Sequence, residues 1–304
     1  MGLFLGIDGG GSKTSCWIGD ESSVLGRGIA AGSNVVRGGA EQARDALGIS
    51  IRHACAAAKV APSQIQATCA GVAGGARPET GGVIRQILAE LVAGEIEVVG
   101  DMVIALQGAF GRGPGVVVIA GTGSIAYGRS LTGETARAGG WGFSISDEGS
   151  GHWIGRSAIA SALRALDEGH PAALLAGVLK SWNLMSLEEL IVRANASPPP
   201  DFAGLLPAVL SAADAGDPIA GSVLTQAGAE LATLAKIVIR RLFPQVEAVP
   251  VAMSGGVFGN CALVRQVFYN SLRSEYPQVP VTASVVDPAA GALELARESG
   301  RRSS

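Results

Sequence analysis

The fold is decided by the first residues of the chain, which read Leu3-Phe4-Leu5-Gly6-Ile7-Asp8-Gly9-Gly10-Gly11-Ser12-Lys13-Thr14. An apolar run of strand length carries an aspartate at its end, breaks into three glycines and then resumes. Glycine has no Cβ, so a turn built from it can expose backbone N–H groups to an anion at close range. The stretch indicates a phosphate-binding turn, with a plain tight hairpin as the alternative.

Two better-known phosphate motifs do not fit this stretch. A Walker A loop needs its second glycine directly before Lys, whereas Ser12 separates Gly11 from Lys13. A dinucleotide fingerprint that begins at Gly9 needs a glycine where the chain has Thr14. Residues 14–20 are β-branched and aromatic without helical periodicity, and they predict a second strand. The glycine turn is therefore predicted to join the two strands of a β-hairpin.

The composition is that of a globular protein with a large buried fraction. The 304 residues suit two domains of about 150 residues each. A net charge of -3 gives no electrostatic reason to expect a nucleic-acid partner. The four cysteines have no C-x-x-C spacing, which argues against a disulfide framework or a zinc site. Since no basic leader and no run of about 20 apolar residues is evident, we expect a cytoplasmic protein without a membrane segment.

Hydrophobic periodicity and turn residues predict an alternation of strands and helices. Strands are predicted at residues 3–8, 14–20, 24–30, 65–72, 96–100, 116–120, 125–127, 249–253 and 279–286. Helices are predicted at residues 39–59, 78–91, 101–110, 218–241 and 261–274, with a last helix from residue 288. The region from residue 150 to 243 is almost wholly helical, and residues 254–260 are predicted to form a third glycine-rich loop.

An internal repeat supports a duplicated unit. Residues 119–124, Ile-Ala-Gly-Thr-Gly-Ser, match residues 7–12, Ile-Asp-Gly-Gly-Gly-Ser, at the isoleucine, the first and third glycines and the serine. Each copy opens a segment of strands followed by helices, so duplication of one α/β unit is a fair interpretation. The break at residues 111–115 predicts domains at 1–113 and 114–287, with residues 288–304 packing back on the first.

These segments, taken together, resemble the BadF/BadG/BcrA/BcrD family of the actin, sugar kinase and Hsp70 superfamily. The segments are residues 7–14, 121–124, 139–142, 147–150 and 254–256, in the order seen in that family. The resemblance spans nearly the whole chain. The family includes N-acetylglucosamine kinases. It implies an α/β protein of two ribonuclease-H-like domains, the second rich in helices, that close over ATP and Mg²⁺ in a cleft. It also suggests a homodimer.

The resemblance assigns candidate roles to individual residues. Asp101 is the expected catalytic base, although an Asp between a strand and a helix is also a common N-cap. Asp8 is expected to hold Mg²⁺ through water, since Mg²⁺ takes few carboxylates. The expected phosphate-binding residues are Gly10, Gly11, Ser12, Lys13, Gly121, Thr122, Gly123 and Ser124. The expected adenosine-binding residues are Gly255, Gly256 and Gly291, and the expected sugar-binding residues are Asn34, Gly140, Trp141 and Asp147.

Several of these residues have an ordinary structural alternative. Lys13 can be a solvated side chain, Gly291 can serve close helix packing, and Asn34 can be turn chemistry. Asp147 precedes a predicted helix and can be its cap.

The identity of the acceptor stays open between two amino sugars. Ile125 stands where animal N-acetylglucosamine kinases have an Asn, which leaves glucosamine as an alternative to N-acetylglucosamine. Two further functions are an ATPase that activates a dehydratase through an iron-sulfur cluster and a non-catalytic sugar or nucleotide sensor. The first is disfavoured because only Cys261 lies beyond Cys69.

Overall fold

Two five-stranded sheets organise the chain in the computed structural model, which describes residues 2–244 and 248–302. The first sheet contains β1 (Phe4–Gly9), β2 (Lys13–Gly19), β3 (Val24–Ala31), β4 (Ala67–Val72) and β5 (Glu95–Gly100). Its spatial order is β3-β2-β1-β4-β5. β1 pairs antiparallel with β2 and parallel with β4, and β4 pairs parallel with β5. The predicted hairpin at the start of the chain is therefore confirmed.

The second sheet repeats the strand order of the first. It contains β6 (Gly115–Ala120), β7 (Ser124–Arg129), β8 (Thr135–Gly139), β9 (Val251–Ser254) and β10 (Val281–Val286). Counted from the opposite edge, its order β8-β7-β6-β9-β10 has the same pattern as β3-β2-β1-β4-β5. This common order confirms the duplication inferred from the two glycine turns, because chance similarity of six residues would not extend to strand order.

The helices connect and cover the sheets. They are α1 (Val35–Ala58), α2 (Pro78–Leu91), α3 (Asp101–Phe110), α4 (Gly151–Asp167), α5 (Leu174–Trp182), α6 (Leu187–Ala194), α7 (Leu206–Asp214), α8 (Pro218–Leu242), α9 (Gly256–Asn260), α10 (Ala262–Arg273) and α11 (Pro288–Arg302). α8 has the predicted start, because Asp217 caps it by accepting hydrogen bonds from the N–H groups of Ile219 and Ala220.

By its internal contacts the chain divides into two compact units. The first comprises residues 1–117, 127–135 and 282–304, and the second comprises residues 118–126 and 136–281. Within the first unit, α11 packs on β1, β4 and α3, with Leu293 and Ala296 buried against Phe4. The domain boundary after residue 113 stays a prediction, and residues 303 and 304 of the last predicted segment lie outside the described residues.

Three local predictions differ from the structure. β8 was not predicted, since Thr135–Gly139 is only five residues long and lacks a bulky apolar face. The predicted loop at residues 254–260 contains a short helix, α9, after a turn at Gly255. The helix predicted from residue 39 begins at Val35, and Gly39 interrupts it with a φ of 79°. Glycine tolerates this left-handed conformation, which explains why the periodicity becomes regular only after it.

One helix in the described part of the chain, α8, is long and apolar enough to cross a membrane by length and composition alone. About half of its most apolar window, 56%, is buried inside the protein. Residues such as Leu231 and Ala235 are fully buried. A core helix of a globular protein has the same properties, so α8 is described as part of the second unit's core.

Candidate active site

The first glycine turn is a tight reversal held by backbone hydrogen bonds. The N–H of Gly10 donates to the carbonyl of Lys13 at 3.0 Å, and the carbonyl of Gly10 accepts from the N–H of Ser33 at 3.2 Å. Gly10 and Gly11 are half-buried, whereas Ser12 and Lys13 are exposed. The hairpin is thus built from its own backbone hydrogen bonds, and its tip is accessible for an anion to approach.

The loop that leads to Asn34 is held against this hairpin by buried hydroxyls. Thr14 Oγ1 lies 2.7 Å from the carbonyl oxygen of Ala31 and 2.9 Å from Ser33 Oγ. Asn34 Oδ1 accepts from the N–H groups of Val36 at 3.0 Å and Arg37 at 3.2 Å. Asn34 is therefore the N-cap of α1, and its predicted sugar contact stays a prediction.

Asp8 lies at the end of β1 among other acidic groups. Burial, followed by the charges of Asp101 and Asp287, raises its pKa from 3.8 to about 7, and the charge of Lys13 partly lowers it. The carboxylate thus carries a free-energy cost when it is ionised, because water is excluded and like charges are near. A bound cation would remove that cost.

Asp101 begins α3, directly after β5. Gly100 is the N-cap of this helix, so the expected alternative of Asp101 as a plain N-cap is not what the structure shows. Burial raises the pKa of Asp101, and the N–H groups of Met102 and of Asp101 itself offset part of the rise. The N–H of Met102 donates to Oδ1 at 3.0 Å and orients the carboxylate. A raised pKa makes this carboxylate a stronger base than an ordinary aspartate.

The acidic set fits a magnesium ion better than a metal caged by protein ligands. Among residues 2–244 and 248–302, no group of three His, Cys, Asp or Glu side chains is close enough to hold a metal. Mg²⁺ takes oxygen ligands and is usually held by one or two carboxylates together with water and substrate phosphates. Asp8, whose pKa is raised by burial and then by neighbouring carboxylates, is the residue whose chemistry fits this arrangement.

The second glycine turn, residues 121–124, is held against the start of α4. The carbonyl of Gly121 accepts from the N–H of Gly151 at 2.8 Å, and the carbonyl of Thr122 accepts from the N–H of His152 at 3.3 Å. Ser124 Oγ donates to the carbonyl of Glu148 at 2.7 Å. Two backbone carbonyls and one hydroxyl of the turn are thus bonded to the start of α4 and the residues just before it, and these bonds fix the conformation of the turn.

Asp147 is buried and has a strained backbone. Its φ is 67°, one of three positive values at non-glycine positions in the described residues. Its Oδ1 accepts from the N–H of Gly142 at 3.4 Å. The predicted alternative of a helix cap is wrong, because Ser150 caps α4 by accepting from the N–H of Trp153 at 3.1 Å. Strain of this kind is common where a side chain is held for function.

The segment before Asp147 presents an exposed aromatic ring. Trp141 is 61% exposed, and the guanidinium of Arg137 stacks on it at 4.0 Å from the ring centroid. Ile125 fills the space beside Gly140, where a Cβ would lie 2.8 Å from Ile125 Cδ1. The sequence did not single out Arg137, because β8 carries no motif. A basic residue two positions before a double glycine was the available signal.

The three glycines predicted to bind adenosine have different surroundings. Gly255 has a φ of 97°, and a Cβ on it would lie 2.4 Å from the carbonyl oxygen of Ala120, so glycine is required there. Gly256 begins α9 and has room for a Cβ. A Cβ on Gly291 would lie 2.0 Å from the carbonyl oxygen of Ile104, which is the close helix packing given as its alternative. The adenosine role of all three stays a prediction.

The structure groups the candidate residues within each unit. In the first unit, Asp8, Asp101 and Lys13 are close enough for their charges to interact. In the second unit, a Cβ on Gly123 would lie 2.7 Å from Asp147 Oδ2, which places the second glycine turn beside that carboxylate. Gly291 belongs to the first unit, and Gly255 and Gly256 to the second.

A duplicated five-stranded sheet with a glycine turn after the first strand of each copy defines an actin-like ATPase fold. The chain belongs to the BadF/BadG/BcrA/BcrD ATPase family, whose sequence model matches residues 5–296.

Relatives match over nearly the full chain. An N-acetylmuramic acid/N-acetylglucosamine kinase of Clostridium acetobutylicum is 35% identical over 302 residues, which is 98% of this chain and 99% of the relative. An N-acetyl-D-glucosamine kinase of Dictyostelium discoideum is 29% identical over 98% of each chain. A candidate N-acetylglucosamine kinase from Chromobacterium violaceum has a solved structure with a TM-score of 0.77, 28% identity and coverage of 97% and 99%.

Proposed function

We propose that the protein is an ATP-dependent carbohydrate kinase that transfers the γ-phosphate of ATP to the 6-hydroxyl of N-acetylglucosamine. The observation that carries the proposal is Asp101, a half-buried carboxylate of raised pKa at the start of a helix. It is accompanied by Asp8 at the end of β1 and by two glycine turns in corresponding positions of a duplicated fold. The sugar kinases among the relatives support the same class.

Asp101 acts as the base for the acceptor hydroxyl. It takes the proton of the 6-hydroxyl while the oxygen attacks the γ-phosphorus, the bond to the β-phosphate oxygen breaks and ADP leaves. An ordinary aspartate of low pKa accepts a proton weakly at neutral pH. Partial burial of Asp101 raises its pKa and so increases its strength as a base.

The remaining first-unit residues position the phosphates. The exposed side chains of Ser12 and Lys13 bind phosphate oxygens, and Gly10 and Gly11, which have no side chains, let those oxygens approach the turn closely. Asp8 holds Mg²⁺, which neutralises phosphate charge when bound. Loss of the Asp8 proton accompanies binding of the ion, because its pKa of about 7 leaves it partly protonated in the free protein.

The second-unit residues bind phosphate and sugar. Gly121, Thr122, Gly123 and Ser124 bind phosphate, while Gly140, Trp141 and Asp147 bind the sugar. The buried Asp147 accepts hydrogen bonds from sugar hydroxyls, and the exposed ring of Trp141 packs on the sugar's apolar face.

Glucosamine is the alternative acceptor. Two observations favour the acetamide over the amine. Ile125 presents an apolar side chain beside Gly140, which suits a methyl group. The guanidinium of Arg137 near the same segment disfavours a second cation, the ammonium of glucosamine, by charge repulsion.

Other functions are less well supported. The cysteines in the described residues, Cys16, Cys55, Cys69 and Cys261, are all buried, whereas a cluster ligated between two subunits needs thiols at the surface. A non-catalytic sensor would not require a carboxylate of raised pKa at Asp101. A homodimer and a cytoplasmic location remain proposals from the family resemblance.

The deciding experiment measures ADP release from Mg²⁺ and ATP with N-acetylglucosamine, glucosamine, glucose and N-acetylmannosamine. We expect N-acetylglucosamine to give the highest kcat/KM and its 6-deoxy analogue to give no stimulation above the ATPase background. Phosphorus NMR of the product should show the phosphate on C6. If no sugar stimulates ADP release, the kinase proposal is wrong; if only glucosamine does, the alternative acceptor is correct.

A further inference from the structure

Two buried hydroxyls join the first glycine turn to the loop that precedes α1. Thr14 and Ser33 are 0% and 1% exposed. Thr14 Oγ1 lies 2.7 Å from the carbonyl oxygen of Ala31 and 2.9 Å from Ser33 Oγ. Each hydroxyl can donate one proton and accept at two lone pairs, so these groups form one connected set of hydrogen bonds. The set links β2 to residues 31–33.

The backbones of the turn and of this loop are also in direct contact. The carbonyl of Gly10 accepts from the N–H of Ser33 at 3.2 Å. A Cβ on Gly9 would lie 2.7 Å from Ser33 Oγ, and a Cβ on Gly32 would lie 2.2 Å from the carbonyl oxygen of Gly11. Neither position can take a side chain without displacing the atom that it meets. Gly9 and Gly32 therefore allow the loop to pack closely on the turn.

The loop extends this contact to the start of α1. Ser33 immediately precedes Asn34, the N-cap of α1, and Gln42 of α1 donates from Nε2 to the carbonyl of Gly32 at 3.2 Å. The family resemblance predicts that Asn34 contacts the sugar, while the turn at Gly10 is proposed to bind phosphate. Ser33 lies between them and is bonded to the hairpin through both its N–H and its hydroxyl. A shift of either segment would break at least one of these bonds.

The two hydroxyls contribute more to geometry than to stability. A pair of buried hydrogen-bonding groups adds little net stability compared with apolar groups of the same shape. The pair does select one arrangement, because a hydroxyl that moves away from its partner inside the protein is left unsatisfied. Thr14 and Ser33 therefore act mainly on the position of the loop at residues 31–34.

We propose that Thr14 and Ser33 are positioning residues that hold this loop against the first glycine turn, so that ATP and the sugar acceptor raise each other's affinity. The inference rests on the proposed function and adds a positioning role within the same site. Phosphates bound at the turn restrict Gly10 and Gly11, and the hydroxyl pair transmits that restriction to Asn34. A sugar that binds to the restricted loop loses less conformational entropy. Because binding free energies are reciprocal, each ligand strengthens the binding of the other by the same factor.

Calorimetric titration measures this coupling factor. The Kd of N-acetylglucosamine is determined with and without saturating Mg²⁺ and AMP-PNP, a non-hydrolysable ATP analogue, and the Kd of AMP-PNP is determined with and without the sugar. For the wild-type protein we expect each ligand to tighten the binding of the other by about 5-fold or more, and by equal factors. AMP-PNP alone should also slow amide hydrogen exchange in residues 32–38, because it restricts the loop.

Variants assign the coupling factor to the hydroxyl pair. Thr14→Val and Ser33→Ala should each reduce it to about 2-fold or less, while the Kd of each ligand alone stays within about 3-fold. Thr14→Ser keeps a hydroxyl and should retain the wild-type factor. Ser50→Ala is the matched control, because Ser50 is a fully buried serine of α1 in the same unit whose Oγ donates to the carbonyl of Leu47 at 3.0 Å. A loss of stability alone reduces the number of binding sites and leaves the ratio of the two Kd values unchanged.

Three outcomes overturn the inference. One is a wild-type protein that turns over the sugar while neither ligand changes the Kd of the other. Another is a wild-type coupling factor in both Thr14→Val and Ser33→Ala. The last is the same loss of coupling in Ser50→Ala, which would indicate a general loosening of the unit. Absence of sugar-stimulated ADP release from the wild-type protein refutes the proposed function instead. In that case, slower exchange of residues 32–38 with AMP-PNP that Thr14→Val abolishes still supports the link between the turn and the loop.

Discussion

Asp147 lies directly against Gly123, since a Cβ on Gly123 would be 2.7 Å from Asp147 Oδ2. The second glycine turn therefore leaves room for the carboxylate that we propose binds the sugar. This contact joins two segments that are 24 residues apart in the sequence. The hydrogen bond from Ser124 Oγ to the carbonyl of Glu148 joins the same two segments. The contact also makes Gly123 a site where a minimal change should alter sugar binding.

Gly123→Ala should raise KM for the sugar by about 10-fold, because the added methyl group displaces the Asp147 carboxylate and weakens a charged hydrogen bond. KM is measured by ADP release at saturating ATP. Gly121→Ala is the matched substitution in the same turn, where a Cβ meets no atom within 4 Å. Its KM for the sugar should stay at the wild-type value. Equal increases in both variants would contradict the proposed role of the Gly123 and Asp147 contact.

Asp101→Asn should lower kcat by about 10²- to 10⁴-fold, the usual contribution of a general base, while ATP binding is retained. ATP affinity is measured by calorimetry and kcat by product formation. Asp20→Asn provides a control in the same unit, since Asp20 Oδ1 accepts from the N–H groups of Ser22 and Ser23 and serves a turn. This control should lose stability but not kcat. A fully active Asp101→Asn variant would refute the base assignment.

The stability of the metal-free protein should fall as pH rises from about 4 to about 7. The folded pKa of Asp8 is raised from 3.8 to about 7, so in this window the folded state holds a proton that the unfolded state has lost. The loss is at most about 4 kcal/mol, from about 1.4 kcal/mol per pKa unit. Asp8→Asn should reduce the slope and be more stable than the wild type at pH 8.

Urea unfolding at each pH unit from 2 to 8, with chelator present, measures the Asp8 effect above pH 4 and the Asp20 effect below it. Asp20→Asn tests the opposite sign, because hydrogen bonds from Ser22 and Ser23 lower the pKa of Asp20. Its stabilising contribution is present above the unfolded pKa and is lost as pH falls through the folded pKa. An unchanged slope in Asp8→Asn would show that other groups cause the pH dependence.

Two substitutions of Asn34 distinguish its role as a helix cap from the proposed role in sugar binding. Asn34→Ala should lose about 1 kcal/mol of unfolding free energy, because the N–H groups of Val36 and Arg37 lose their acceptor. Asn34→Asp keeps the cap and should have nearly wild-type stability. If the amide also donates to the sugar, Asn34→Asp should raise KM for the sugar several-fold. A wild-type KM in this variant would limit Asn34 to capping.

Alanine substitutions at Gly291 and Gly256 distinguish a role in helix packing from a role in adenosine binding. Gly291→Ala should lower the unfolding free energy by about 3 kcal/mol or more, the upper range for overpacking, since a Cβ would lie 2.0 Å from the Ile104 carbonyl. Gly256→Ala should cost little stability, because its Cβ would make only an ordinary contact 3.8 Å from Asn260 Nδ2. A raised KM for ATP in Gly256→Ala alone would place adenosine at Gly256 and limit Gly291 to packing.

Much of the fold could be predicted from local pattern. The bounds of α2 and α3 agree with prediction because Pro78 and the residues after Gly100 give clear start signals. The duplication was visible because both glycine turns kept the same four residues. β8 was missed because a short edge strand needs few apolar residues and is stabilised mainly by pairing with its neighbour.

The candidate site was predicted less evenly. The roles of Asp8, Asp101 and Asp147 follow from the family resemblance, because position alone leaves ordinary turn or capping roles open for each of them. Their protonation behaviour was not predicted, because burial and neighbouring charge depend on which elements pack together. The capping role that position suggests for Asp147 belongs to Ser150. Arg137 could not be predicted, because no sequence spacing indicates that it stacks on Trp141.

The sequence by itself determined the hairpin of residues 4–19, the repeated glycine turn and the family, since these depend on strand periodicity, missing Cβ atoms and motif order. Only the tertiary structure decided that Asp8 has a pKa of about 7 and that Arg137 lies on Trp141 without a counter-ion among the described side chains. The physical reason is the distance along the chain over which each interaction acts. Backbone preferences act between neighbours in the chain, whereas desolvation and charge interactions act between groups that folding brings together.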